Sequence, residues 1–114
     1  MPDFKIIARV TNRLAYDPHT EEVFRAFVFR SLNEDIYKYK EIDFDQNDDT
    51  GSATIIFEQG TIQNDEEFLV CITAFDDEGS MESWCKIATN HPEPQPEEVT
   101  FDVSSNQGKA PHTG

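Results

Sequence analysis

The sequence predicts an all-β fold, namely an antiparallel two-sheet β-sandwich of immunoglobulin-like type with about seven strands. Three observations predict it. Apolar and polar residues alternate with a period of two, clusters of Asn, Asp, Gly and Pro interrupt this alternation at intervals, and no window carries the apolar stripe of an amphipathic helix. Short strands at this spacing are typical of a sandwich or a small barrel, and of the two we expect the sandwich.

The first three predicted strands lie in the N-terminal part of the chain. Residues 4–10 alternate between apolar and polar positions, which indicates a half-buried strand. Residues 22–31 are rich in β-branched and aromatic residues and carry charges near both ends, which favours a strand in the middle of a sheet. Residues 36–44 alternate again, and we expect Lys38 and Lys40 to extend along a sheet edge toward solvent.

Four further strands are predicted in the rest of the chain. Residues 51–57 form the fourth, and residues 66–75 are nearly continuous in apolar character, which suits a strand covered on both faces. A tight hairpin at residues 76–79 leads into the sixth strand at 80–88. After a connection that contains three prolines, residues 99–103 supply the last strand.

The length and composition predict one folded domain. A chain of 114 residues can build a single core, and its 37% hydrophobic residues with nine Phe are too apolar for a disordered acidic polymer. We expect this domain to span residues 1–103. Residues 104–114 have no apolar anchor, so we predict a flexible C-terminal tail there.

The formal net charge of −14 is unevenly distributed along the chain. Residues 41–85 hold thirteen acids and no Lys or Arg, whereas residues 1–40 hold seven bases against six acids. Such a block repels phosphate backbones and anionic membranes, so we expect no nucleic-acid partner and retain cations and basic protein surfaces. No stretch approaches the roughly 20 apolar residues of a membrane span, and the first five residues lack the features of a signal peptide. We therefore expect no membrane insertion.

The two cysteines, Cys71 and Cys85, match no zinc or redox spacing. Folding the chain about Glu78 places them opposite each other on neighbouring strands, where roughly 4.5–5.5 Å separates facing residues, a Cα distance that a disulfide tolerates. In an oxidising compartment we expect a bond, which would favour an extracellular or cell-surface location. The alternative is a pair of buried reduced thiols. Because both lie on one hairpin, beside Trp84, the framework is immunoglobulin-like only in its general pattern.

One loop has a partial calcium-binding pattern. If successive strands are antiparallel, the connections at 12–21, 45–51 and 76–79 fall at one end of the sandwich and gather acidic residues there. Within them Asp45, Asn47 and Asp49 have the spacing that opens an EF-hand loop, but Gly stands at its seventh place rather than its sixth, and its twelfth place lacks the bidentate Glu. We interpret this segment as a solvated polar loop, with calcium as the alternative and no other cofactor expected.

No catalytic constellation is recognisable. The three histidines, His19, His91 and His112, fall in predicted loops or in the tail, and no Gly-flanked Ser or Cys/His pair can be placed. We therefore predict that the protein is not an enzyme. The run Phe27-Val28-Phe29 has the aromatic pattern of RNA-stacking strands, but the glycines of that motif are missing and the net charge has the wrong sign. We interpret this run as a core strand.

The second half of the chain carries a resemblance to a known group. It rests on the segment Phe57-Glu58-Gln59-Gly60-Thr61-Ile62, the segment Phe68-Leu69-Val70-Cys71, Cys85, Asn90 and the stretch Pro96-Glu97-Glu98-Val99. In these features the chain resembles small uncharacterised β-sandwich proteins of ammonia-oxidising archaea. The resemblance implies a stand-alone sandwich whose two cysteines pair with each other, and it brings no catalytic residue.

Three functional hypotheses follow from these observations. The first is a non-enzymatic binding or structural module, surface-exposed and self-associating through strand addition or charge-complementary contacts, since a near-neutral segment stands beside an acidic block. The second is an acidic decoy that occupies the nucleic-acid-binding surface of a basic partner, which requires carboxylates spread over one broad face. The third is a calcium-dependent binding domain.

Overall fold

Two β-sheets pack face to face in the computed structural model, and no α-helix occurs in the part of the chain that it describes. The structure describes residues 3–16, 23–30, 36–44, 48–75, 81–91, 96–105 and 108–109. The predicted all-β two-sheet sandwich with seven strands is therefore confirmed for these residues.

The seven strands overlap the seven predicted ones. They are β1 (Phe4–Thr11), β2 (Val23–Arg30), β3 (Ile36–Glu41), β4 (Gly51–Phe57), β5 (Glu67–Phe75), β6 (Met81–Thr89) and β7 (Glu97–Asp102). Short 3₁₀ turns occur at Arg13–Ala15 and Gln59–Thr61. The third strand ends before residue 44 because the chain there leaves its sheet, and Asp43 bridges to Ser52 at the start of β4.

The strands divide into a three-stranded sheet of order β4-β1-β7 and a four-stranded sheet of order β3-β2-β5-β6. The chain changes sheet after β1, β3, β4 and β6, so four of its connections cross from one sheet to the other. The strand β2 lies between β3 and β5, as its composition predicted. Four of the five strand pairings are antiparallel.

The pairing of β1 with β7 is parallel, so the prediction of a purely antiparallel sandwich is wrong for this pair. Their register runs from Ile6 opposite Glu97 to Thr11 opposite Asp102. The cause is topological, because β6 ends at the end of the sandwich where β1 begins. A strand that starts there and joins the edge of the other sheet must run in the same direction as β1.

The core lies between the two sheets and is rich in aromatic side chains. Burial alternates along β1, β2 and β4, so one side of each strand faces the core. Phe4, Phe57 and Phe68 form one cluster with ring centroids 5.0–6.3 Å apart. The largest fully buried side chains are those of Trp84, Phe24, Phe57, Phe68 and Phe101. Removal of this apolar surface from water is the main force that holds the sheets together.

One end of the sandwich, here called the Asn90 end, is held by a polar network. The guanidinium of Arg30 donates from Nε and Nη2 to the two carboxylate oxygens of Glu66, over 2.6 and 2.8 Å. The Gln63 amide donates to Glu66 Oε1, and Asn90 Nδ2 donates to the Gln63 carbonyl. Within the described residues no buried side-chain nitrogen or oxygen lacks a partner. The buried polar groups at this end are thus compensated.

The Arg30 guanidinium holds the pKa of Glu66 below its ordinary value, through its hydrogen bonds first and its charge as well, while burial acts in the opposite direction. The Glu66 side chain is only 3% exposed. This carboxylate therefore stays ionised inside the fold because its charge is paired.

The C-terminal segment makes specific polar contacts with β6. The Ser105 carbonyl accepts a hydrogen bond from Trp84 Nε1 at 2.9 Å, and the Gly108 carbonyl accepts one from the Cys85 amide at 2.9 Å. Lys109 pairs with Glu82 at 2.8 Å. The sequence predicted a flexible tail from residue 104 onward because this segment has no apolar anchor. Its described residues are attached to β6 through polar groups, and a hydrophobicity pattern does not reveal such contacts.

Candidate binding face of the four-stranded sheet

The outer face of the four-stranded sheet carries a cluster of apolar side chains. The residues of this face alternate with core residues along each strand, so their side chains point away from the three-stranded sheet. The facing positions bring them together in rows across β3, β2, β5 and β6. We call this surface the outer face; its central residues are Phe27, Phe29, Tyr39, Leu69, Cys71, Cys85 and Ile87.

Aromatic rings cover the β2–β3 half of the outer face. Phe27 stacks on Phe29 with centroids 6.4 Å apart and on Tyr39 with centroids 5.9 Å apart. Phe27 lies opposite Tyr39 in the register, which is why their rings meet. Tyr39 is 66% exposed. Stacked rings at a surface offer a large, rigid contact area to a partner.

The disulfide of Cys71 and Cys85 lies at the centre of the outer face. The two residues face each other on β5 and β6, as the sequence predicted, and their Cα atoms are 4.1 Å apart. The Cys85 amide donates away from β5, to Gly108, so the two cysteines form a non-hydrogen-bonded pair, the type in which facing residues come closest. Closing a loop of this length contributes on the order of 3 kcal/mol to stability.

Charged groups border the outer face but do not enter its centre. Arg25 and Glu41 face each other at one side, and Glu67 lies at the other. The guanidinium of Arg25 stands over the Phe75 ring at 5.1 Å. An uncharged apolar centre with a polar rim is the usual anatomy of a protein–protein contact surface.

The sequence did not indicate that two of these rings face outward. The run Phe27-Val28-Phe29 lies in a strand that is central in its sheet, as expected of a core strand, but only Val28 faces the core, and the two rings face outward, partly buried. The expectation that β5 is covered on both faces agrees with its burial, since the outward-facing Cys71 and Thr73 are buried as well. Apolar residues on both sides of β2 and β5 were the available signal, and they do not distinguish a covered face from an exposed one.

The calcium candidate falls mainly outside the described residues, which exclude Asp45 and Asn47. Its third member, Asp49, accepts a hydrogen bond at Oδ1 from the Leu14 amide at 3.0 Å. The loop that carries it also binds Arg13, whose guanidinium donates to the Asp48 carbonyl. Across the described ranges, no three His, Cys, Asp or Glu side chains form a group that could hold a metal ion.

The predicted gathering of loops at one end is visible in part. The connection after β1 contacts residues 48–49, as the alternating topology requires. The other acids of that group, including the 76–79 turn, lie outside the described residues. Of the histidines, His91 is exposed, and the other two also lie outside the described residues.

No helix in the described part of the chain has the length and apolar character needed to cross a bilayer. Comparison of the chain with protein-family models, with curated proteins and with solved structures found no significant match.

Proposed function

We propose that the protein is a non-enzymatic binding module that associates with a second copy of itself through the outer face. The observation that carries this proposal is the apolar centre of that face, with its stacked Phe27, Phe29 and Tyr39 rings and its half-exposed Ile87. An exposed, contiguous apolar patch rimmed by polar groups is typical of a protein interaction site.

Electrostatics favour this face over other surfaces for self-association. Each copy carries a formal net charge of −14, so copies repel each other at most approaches. The centre of the outer face has no charged side chain, and its rim offers both Arg25 and Glu41 for exchange across a two-fold axis. Two copies that meet there bring no like charges together at the centre and bury apolar surface.

The disulfide supports the proposed binding at the outer face and also bears on the location of the protein. It fixes β5 to β6 across the outer face and so lowers the conformational cost of binding there. Disulfides are typical of oxidising compartments, which supports an extracellular or cell-surface location.

The test is light scattering coupled to size exclusion, over protein concentrations from about 1 μM to about 1 mM. We expect concentration-dependent dimers that become more stable as salt is raised, because salt screens the repulsion between two acidic copies. The Ile87→Lys variant should raise the dimer dissociation constant at least tenfold, about 1.4 kcal/mol, since it places an ammonium in the apolar centre.

The control is Leu14→Lys, which adds the same charge at an exposed leucine outside the outer face. It should leave the dimer dissociation constant unchanged. A strict monomer at every concentration and salt would remove the self-association proposal, and a dimer that weakens with salt would assign it to charge-complementary contacts instead.

The two alternative hypotheses gain no support from the described residues. The exposed carboxylates are divided between strand positions such as Glu41, Glu67 and Glu98 and the loops, rather than spread over one broad face as a decoy requires. The calcium hypothesis has one described ligand candidate, Asp49, whose Oδ1 already accepts the Leu14 amide.

A further inference from the structure

At three of the four sheet edges, groups from elsewhere in the chain hydrogen-bond to some of the edge backbone. On the three-stranded sheet, Lys38 Nζ donates to the Ile56 carbonyl of β4, and Lys86 Nζ donates to the Thr100 carbonyl of β7. On the four-stranded sheet, the edge of β6 pairs with residues 108–109. Covering of edge backbone by lysines and loops is a common protection against unwanted strand pairing.

The fourth edge, that of β3, presents backbone groups that point away from the sheet. The Ile42 amide donates to Phe24 of β2, whereas the Asp43 amide donates in the opposite direction, to Ser52 of β4. Alternate residues of a strand direct their amide and carbonyl to opposite sides. Tyr39 and Glu41 therefore direct theirs outward, as Asp43 does, and no hydrogen bond to these groups occurs within the described residues.

An open groove separates β3 from β4 beyond the Asp43–Ser52 bridge. The two strands separate from this bridge onward, and the groove between them has a volume of about 450 Å³. It is lined by Lys38, Tyr39, Lys40, Thr54, Ile55 and Ile56. By the same alternation, Thr54 and Ile56 direct their backbone toward the groove, in agreement with the Lys38 contact on the Ile56 carbonyl.

The side chains beside this edge select the charge of an added strand. Lys38 and Lys40 are both exposed, on a chain whose formal net charge is −14. Glu41 alternates to the opposite face of β3, so on the groove side the two ammonium groups repel a basic strand and attract carboxylates, which gives this side a preference for an acidic segment. Exposed apolar contact is available on the opposite face of β3, since Tyr39 is 66% exposed.

We propose that the β3 edge binds an extended acidic segment of a partner protein as an added strand. Its backbone pairs with Tyr39 and Glu41, its carboxylates contact Lys38 and Lys40, and its apolar residues, which alternate to the other face, contact the exposed Tyr39 ring. This mode of recognition takes affinity from main-chain hydrogen bonds and specificity from alternate side chains. The site uses the outward backbone groups of Tyr39, whose ring belongs to the outer face, but the pairing at the edge does not depend on the function proposed for that face.

The test uses a synthetic peptide of alternating Glu and Val, with a Lys-Val peptide as the matched probe of opposite charge. Titration calorimetry should show saturable binding of the Glu-Val peptide at least tenfold tighter than that of the Lys-Val peptide. Amide hydrogen exchange should slow at Tyr39 and Glu41 when the Glu-Val peptide binds, because their amides gain partners.

Two substitutions of one residue separate backbone pairing from side-chain contact. Tyr39→Pro removes the outward amide and should reduce affinity for the Glu-Val peptide at least tenfold, whereas Tyr39→Ala keeps that amide and should reduce it less than threefold. Proline is tolerated here because the Tyr39 amide takes no part in the β2 ladder. Lys40→Glu should invert the preference between the two peptides, with the melting temperature as the check on folding.

Three results would overturn the proposal. The first is that the Glu-Val peptide shows no saturable binding. The second is that Tyr39→Pro and Tyr39→Ala bind this peptide with equal affinity. The third is that the protein forms a dimer which Tyr39→Pro weakens and which prevents the peptide from binding. The last result would assign the β3 edge to a second copy of the chain rather than to a partner protein.

Discussion

At the scale of single residues, Glu66 shows how a buried charge is tolerated in this fold. Its carboxylate is paired bidentately with Arg30 and also accepts the Gln63 amide, so burial leaves few of its lone pairs without a donor. Such a pair adds little over an apolar substitute, but removing one partner is costly because the other partner loses its compensation.

We expect Glu66→Gln to lower the free energy of unfolding by about 1–3 kcal/mol at neutral pH. Arg30 is partly exposed and regains some hydration, which keeps the effect moderate. The folded-state pKa of Glu66 is depressed, so its contribution is fully present above the ordinary value of 4.5 and is lost as pH falls through the folded pKa. Urea unfolding of both proteins as a function of pH should therefore show a difference that shrinks in acid.

Glu67→Gln is the matched control for that measurement. It removes the same charge at the next residue, which is exposed, so it should change stability by less than about 0.5 kcal/mol. Equal effects of the two variants, or a difference that grows in acid, would contradict the role assigned to the Arg30–Glu66 pair.

At the scale of elements, the crossing from β3 to β4 requires a glycine. A Cβ atom at Gly51 would lie 2.6 Å from the Asp43 carbonyl oxygen and 2.6 Å from Phe44 Cδ1, closer than such atoms approach. The absence of a side chain therefore lets the start of β4 pass directly beside the end of β3, where the Asp43–Ser52 bridge joins the sheets.

We expect Gly51→Ala to destabilise the fold by about 1–3 kcal/mol, because either the carbonyl or the ring must move. The melting temperature should fall by about 5 °C or more. Gly60→Ala is the control, since nothing lies within 4 Å of the Cβ position there, and it should be nearly neutral. A neutral Gly51→Ala variant would show that the crossing can open without cost.

The sequence allowed different elements to be predicted to different extents. Local alternation was sufficient for β4, whose bounds match the prediction, and the symmetry of the hairpin about its turn was sufficient for the facing cysteines. The partner of β7 was not predictable, because the pairing joins segments nearly a whole chain apart and no local period encodes it. The outward direction of the Phe27 and Phe29 rings was not predictable, because partly buried rings and core rings occur in the same sequence pattern.

At the scale of the whole molecule, the net charge of −14 opposes folding into a compact shape. The radius of gyration is 14.3 Å, whereas the screening length is about 30 Å at 0.01 M salt and about 3 Å at 1 M. Repulsion therefore extends over the entire molecule at low salt. Three ion pairs occur among the described residues and are too few to offset it, since the exposed Arg9–Glu98 pair contributes about 0–1 kcal/mol and the buried Arg30–Glu66 pair adds little over an apolar substitute.

We expect the melting temperature to rise when sodium chloride is increased from about 0.01 M to about 0.5 M, because screening relieves the repulsion. Potassium chloride should give the same rise, which serves as the control for specific binding of sodium. Differential scanning calorimetry makes the measurement, at a protein concentration for which light scattering gives the mass of a monomer. A constant or falling melting temperature would mean that favourable ion pairs outweigh the net repulsion.

The parallel pairing of β1 with β7 also has a consequence for synthesis on the ribosome. The strand β1 is the centre of its sheet, yet one of its two neighbours consists of residues 97–102, which are translated long after it. Until they emerge, β1 has an open edge and an uncovered apolar flank, a state in which nascent chains associate with each other or with chaperones. Translation of β7 is therefore the step that completes this sheet. Because the β1–β7 contacts join residues that are distant in sequence, we expect the chain to fold slowly.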